Sequence, residues 1–110
     1  LRCDALTART DPFSRIQREV IDNECIACHG AGPGFPGGLA LLRCDAVGNA
    51  ERLLGPRDGQ PPLVVPFDMN SELRLRLLGQ GFPQMPAGGI SPEQLELVDE
   101  WIGAGAPAPN

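Results

Sequence analysis

The chain has 110 residues, nine of them arginine and none lysine, and its 14 acidic residues leave a formal net charge of −5. That balance disfavours nucleic acid, whose phosphates need clustered cations, and the longest apolar run, Leu39-Ala40-Leu41-Leu42, is far short of the roughly 20 residues that cross a bilayer. With 5% aromatics against 14 glycines and 12 prolines, the core is thin, and the chain either stays loose or wraps something that adds apolar mass.

By length the chain is one domain, residues 1–110, with 1–10 as an N-terminal arm and 104–110 as a frayed tail or the start of a linker. Its start at Leu1 reads as the loss of a signal peptide or an upstream region. The first strong element opens at Asp11-Pro12, an N-cap followed by proline at the first helical position. Phe13, Ile16, Val20 and Ile21 recur at helical spacing, so a helix of about four turns is expected to run through Cys25 and Cys28 and to close at Gly30. Residues 31–38, AGPGFPGG, form a loop. Ala46 to Leu54 reads as a short helix. A Pro-rich loop over 57–67 precedes a helix from Glu72 to Leu78, capped by Asn70 or Ser71 and stopped by Gly79. The loop from Gly79 to Gly89, GQGFPQMPAGG, leads to a last helix whose Ser91-Pro92-Glu93-Gln94 start is a capping box. That helix has a buried stripe of Leu95, Val98, Trp101 and Ile102, with Glu96, Asp99 and Glu100 facing water. No strand is predicted. The fold class is all-α, with three to five helices joined by long loops that would wall a cofactor.

The chemistry is concentrated in Cys25-Ile26-Ala27-Cys28-His29-Gly30, which holds the only histidine. C-x-x-C-H is the pattern of a c-type haem attachment site. On an α-helix, Cys25 and Cys28 at i and i+3 lie on one face about 5–6 Å apart, so both reach one edge of a porphyrin, and His29 supplies an axial imidazole nitrogen. A zinc site would need four N or S ligands, and Cys3 and Cys44 sit alone with no second histidine. A thioredoxin-like pair would open a helix after a strand, whereas this one ends a helix. The second axial ligand comes from Met69 or Met85. Met85 is preferred, because it lies between Pro83 and Pro86 in a glycine-bracketed loop, while Met69 precedes a helix cap as a packing residue.

With Cys25 and Cys28 taken by one cofactor, Cys3 and Cys44 remain, either as a disulfide tying the N-terminal arm to the middle of the chain or as two buried thiols; the disulfide is preferred. A disulfide and covalent haem both point to an oxidising compartment, periplasmic or extracellular.

Taken in order, Cys25-Ile26-Ala27-Cys28-His29-Gly30, Met85-Pro86, Ser91-Pro92-Glu93 and Trp101-Ile102-Gly103-Ala104 resemble a bacterial class I, monohaem cytochrome c from about Asp11 to Ala106. The resemblance implies a cytochrome c-like fold in which the first and last helices cross around one haem c, with His29 and Met85 on opposite faces. It also implies Trp101 packing near Phe13 and Ile16, and a proline carbonyl, from Pro33 or Pro36, accepting from the histidine. Arg52, Arg57, Arg74 and Arg76 are candidates for the propionates, with ordinary solvated arginines as the alternative. A dry shell of Leu39, Leu41, Leu42, Leu75, Leu78, Val98 and Ile102 would raise the reduction potential. The expected function is single-electron transfer between protein partners, without catalysis, by a free protein or a module of a larger exported one. A basic docking face is expected on those partners. The alternatives are a five-coordinate haem sensor or peroxidase-like enzyme, if Met85 is not a ligand, and an interaction module whose haem is a folding staple.

Overall fold

The structure, a computed structural model, describes residues 9–25, 41–57, 59–86 and 88–109. Among these residues the fold is all-α, without a strand beyond one isolated bridge between Arg57 and Gln60. Helix α1, Pro12–Ile16, continues directly into a π-helix, Gln17–Cys25; α2 is Ala46–Leu54, α3 is Glu72–Leu78 and α4 is Pro92–Gly103. Three of the predicted helices have the predicted bounds. The first differs, because from Gln17 onward its ladder closes i→i+5 instead of i→i+4. Its expected continuation to Gly30 falls outside the described residues.

The starts of the helices are set by local polar groups. Asp11 caps α1 by accepting from Ser14 N at 3.1 Å and from the Ser14 hydroxyl at 2.8 Å. Burial pushes the Asp11 carboxyl up, but the Ser14 bonds and Arg9 outweigh it and hold it below its ordinary value. In α4 both halves of the capping box are made: Gln94 N donates to Ser91 Oγ at 3.1 Å, and Ser91 N donates to Gln94 Oε1 at 2.8 Å. Ser71 behaves differently. Its hydroxyl makes no cap bond to α3; it donates to Asp68 O at 2.7 Å and accepts from Val65 N at 2.9 Å, closing the loop before the helix.

Helix α1 packs chiefly against α4, with α2 also against α1 and α3 against α4. Where α1 meets α4, Phe13 and Trp101 are both fully buried, with ring centroids 4.7 Å apart and planes tilted by 50°. Such tilted aromatic pairs contribute about 0.5–1.5 kcal/mol beyond their burial. Of the predicted α4 stripe, Val98, Trp101 and Ile102 are buried and Leu95 is half-buried. Asp99 does not simply face water, since it is paired with Arg74 at 2.7 Å.

Residues 104–109 do not fray. Ala106 N donates to Trp101 O at 2.8 Å, and the indole Nε1 donates to Pro107 O at 2.9 Å, so the tail closes over the end of α4. Gly105, at φ +95, passes so near Phe67 that a Cβ there would sit 2.6 Å from the ring. The Pro-rich middle loop is likewise pinned, by Val64 N to Leu53 O at 3.0 Å and Leu73 N to Leu63 O at 2.9 Å.

Beneath α2 lies a polar network that periodicity does not reveal. Asn49, fully buried, donates to Gln17 Oε1 at 2.8 Å and to Leu42 O at 2.7 Å, and accepts from Leu42 N at 3.0 Å and Arg52 Nη1 at 2.7 Å. Gln17, also fully buried, donates in turn to Asp22 Oδ1 at 2.8 Å. Removing Asn49 strands the buried Gln17 side-chain oxygen and breaks three part-buried bonds to Leu42 and Arg52 as well; a stranded buried group costs about 1–3 kcal/mol. Asn49→Ala is therefore expected to lower unfolding stability in urea by about 3 kcal/mol. By contrast Arg15→Ala, which breaks the exposed Arg15–Glu19 pair, should change it by less than about 1 kcal/mol. Equal shifts for the two variants would show that the network adds no net stability.

Candidate functional site

The packed pair α1 and α4 is also one wall of a cleft. Phe13 and Ile16 of α1, Val20, Ile21, Glu24 and Cys25 of the π-helix, and Val98 and Trp101 of α4 form one side. Leu41, Leu53, Leu73, Leu77, Met85 and Pro86 complete it. Its empty space, counting the part open to solvent, is about 730 Å³. Among the described residues Glu24 is the only charged one on walls that are otherwise apolar, apart from the thiol of Cys25.

Cys25 reaches the cleft from the end of the π-helix, half-buried and packed against the core. Because the ladder there closes i→i+5, residues five apart stack along it, and Val20 and Cys25 share the cleft wall on that spacing. The i, i+3 argument for Cys25 and Cys28 rests on the residues after Cys25, which lie outside the described residues. Cys28 and His29 themselves, with Cys3, Pro33, Pro36 and Leu39, lie outside the described residues.

Met85 reaches the same cleft from the far end of the chain, carried by a loop folded back on α3. Gly79, at φ +72, closes the helix in the left-handed conformation. The returning strand of the loop then satisfies carbonyls that a helix end leaves open: Met85 N donates to Arg76 O at 2.9 Å, and Gln84 Nε2 donates to Leu77 O at 3.1 Å. Gly89, at φ +79, leaves room for that amide, since a Cβ there would lie 2.6 Å from Gln84 Nε2. Above the loop, the Arg76 guanidinium sits 4.2 Å from the centroid of Phe82. Met69, the other sulfur candidate, is half-buried against the core and does not line the cleft; its carbonyl accepts from Arg74 Nη1 at 3.2 Å.

The four arginines considered for carboxylate recognition all have carboxylate partners within the chain. Arg52 pairs with Asp45 at 3.2 Å, Arg74 with Asp99 at 2.7 Å, and Arg57 and Arg76 both with Glu72, at 2.9 and 2.8 Å. Cys44 is disulfide-bonded, and its partner lies outside the described residues, so the expected pairing with Cys3 does too. Of the expected dry shell, Leu41 and Val98 line the cleft, whereas Leu42 is 40% exposed and Ile102 is buried in the core away from it. In α3 the lining residues are Leu73 and Leu77, not Leu75 and Leu78. Four leucines in a seven-residue helix leave its inner face ambiguous, and the i, i+4 pair is the one that turns inward.

Among the described residues, no group of three or more His, Cys, Asp or Glu side chains could hold a metal ion, and no helix is long and apolar enough to cross a membrane. In comparisons with protein-family models, curated proteins and solved structures, nothing matches the chain.

The bonds from Arg57, then Arg76, hold the Glu72 carboxyl below its ordinary value of 4.5. A carboxylate with a depressed folded-state pKa stabilises the fold fully above the unfolded value, and that contribution is lost as pH falls through the folded one. Glu72→Gln is accordingly expected to lower the urea midpoint most at neutral pH. The gap to the unsubstituted protein should narrow progressively below about pH 4.5, and a gap that stays constant to pH 3 would assign the effect to packing alone.

Proposed function

We propose that the protein carries one covalently attached haem c and transfers single electrons between protein partners, with Cys25 and Cys28 forming the thioether links and His29 and Met85 filling the two axial positions. The observation that carries this reading is that Cys25 and Met85, from opposite halves of the chain, stand on the walls of one apolar cleft, while Met69 does not. The residues present suit the group: the walls offer apolar area for a flat macrocycle, a thiol at one side and a thioether at another. The cytochrome c-like architecture is part of the same proposal, supported by the packing of α1 on α4 through Phe13 and Trp101.

When bound, the haem supplies an iron centre that changes oxidation state by one electron. The chain's own residues do the rest. Cys25 and Cys28 fix the ring's edge, the His29 imidazole provides a nitrogen ligand, and Met85 offers a thioether from a loop held to α3 by the Arg76 carbonyl. Thioether ligation favours the reduced iron relative to a second nitrogen ligand. The leucine, isoleucine and valine walls exclude water and disfavour the extra positive charge of the oxidised state. With both axial positions filled, no position is left for substrate, which favours a carrier over an enzyme. The disulfide at Cys44 supports an exported, periplasmic or extracellular location, and the net charge of −5 favours partners with a basic docking face.

Spectra of the purified protein, oxidised and reduced, are expected to show a c-type haem with the weak red band of a sulfur–iron(III) bond. Met85→Ala should abolish that band and let carbon monoxide bind the reduced protein promptly, whereas Met69→Ala should leave both properties unchanged. Prompt stoichiometric carbon monoxide binding by the unsubstituted protein would instead favour the five-coordinate sensor or peroxidase-like alternative. A folded, colourless preparation from a host that attaches haem would end the haem reading altogether.

A further inference from the structure

Three of the chain's ionic groups form a chain of contacts that ends at the Met85 loop. Arg57 is locked to its own loop by two bonds to Pro61 O, at 2.9 and 2.6 Å, and donates through Nη2 to Glu72 Oε1 at 2.9 Å. Glu72 Oε2 accepts from Arg76 Nε at 2.8 Å, one helical turn along α3. The guanidinium so oriented lies over Phe82, and the carbonyl of the same residue accepts from Met85 N. Arg76 thus grips the loop twice, through its side chain at Phe82 and through its backbone at Met85. The glutamate between the two arginines has only 14% of its side chain exposed, so the pair is better shielded from solvent than an ordinary surface ion pair.

We infer that Arg76, held by Glu72 and Arg57, is the positioning residue for Met85: its stack on Phe82 keeps the loop seated on α3 and the thioether at the cleft. The inference rests on the haem reading above and adds a specific device to it. A planar guanidinium can donate to the carboxylate through Nε and present its face to the ring together, whereas an ammonium can make the ion pair without the flat stack. Arg74, two residues away, is the natural control. It pairs with Asp99 on α4 and bonds Met69 O, and it makes no contact with the loop among the described residues.

The test uses the oxidised holoprotein and added imidazole as the competing ligand, with the weak red sulfur–iron band as the readout. Arg76→Ala is expected to raise the apparent imidazole affinity about tenfold. Phe82→Leu should raise it by a similar factor, and Arg76→Lys, which keeps the ion pair and loses the stack, should fall between. Arg74→Ala should lower the urea midpoint while leaving imidazole affinity unchanged. If Arg74→Ala raises the affinity as much as Arg76→Ala, the effect is general loosening and the positioning role is wrong. If Met85→Ala removes the band but Arg76→Ala and Phe82→Leu leave imidazole affinity unchanged, the inference fails and the haem reading stands. If the unsubstituted holoprotein lacks the band, both fail.

Discussion

The contact between Phe13 and Trp101 is the constraint on which the rest of the structure depends. Each side chain is fully buried, and burying a large apolar side chain is worth about 1.5–3 kcal/mol. Among the described residues the other two phenylalanines do not substitute for it, since Phe67 is 71% exposed and Phe82 lies against Arg76. The two rings hold the first and last helices together and also line the cleft. The wall of the site is therefore the same surface that closes the fold, and any change that separates α1 from α4 also reshapes the cleft. The indole's polar edge completes the arrangement. Buried Trp N–H groups need an acceptor, and Pro107 O provides it at 2.9 Å, which makes residues 104–109 part of the core's closure and not an appendage.

The change from α to π geometry after Ile16 has identifiable causes in the side chains around it. Gln17 and Asp22, five residues apart, bond at 2.8 Å, a spacing that stacks side chains in an i→i+5 ladder. On the opposite side, Glu19 O is taken by Gln94 Nε2 at 2.7 Å and by Asn23 Nδ2 at 3.3 Å. Side chains that bond a helix carbonyl in this way compete with the i→i+4 ladder and distort it. Gln94 thus serves twice, completing the capping box of α4 with its oxygen and fastening the π-helix with its nitrogen. The result places Cys25 at the cleft by way of contacts with α2 and α4, both distant in sequence.

That dependence separates what could be read from the chain from what could not. The bounds of α3 and the start of α4 followed from local signals: Ser91 with Gln94, Pro92 and Gly79 each act within a few residues, where sequence neighbours and spatial neighbours coincide. Met85 lines the cleft and Met69 does not; a loop between Pro83 and Pro86 leaves a side chain uncommitted to a helix face. The π-helix, the burial of Gln17 and Asn49, and the partners of Arg57 and Arg74 were not legible. Polar residues read locally as surface, and only contacts 15 to 32 positions away make them otherwise. The choice of Leu73 and Leu77 over Leu75 and Leu78 depended equally on where α4 lies.

The absence of lysine fits the way the irregular segments are held. Arginine's planar fork can serve a carboxylate and a backbone carbonyl at once, and this chain uses it so repeatedly. Arg57 joins Pro61 O to Glu72, and Arg74 joins Met69 O to Asp99. Arg18, on the π-helix, donates to Arg9 O at 2.8 Å. Each of these bonds satisfies a carbonyl in a stretch that has no ladder of its own, and a buried or half-buried carbonyl without a partner would be costly. A point-charged ammonium can bond one such partner well, but it lacks a second fixed donor direction to reach the other. Loops rich in glycine and proline supply little apolar area for packing, so their stability must come from polar cross-links of this kind. The guanidinium is the side chain whose geometry makes one residue sufficient for each.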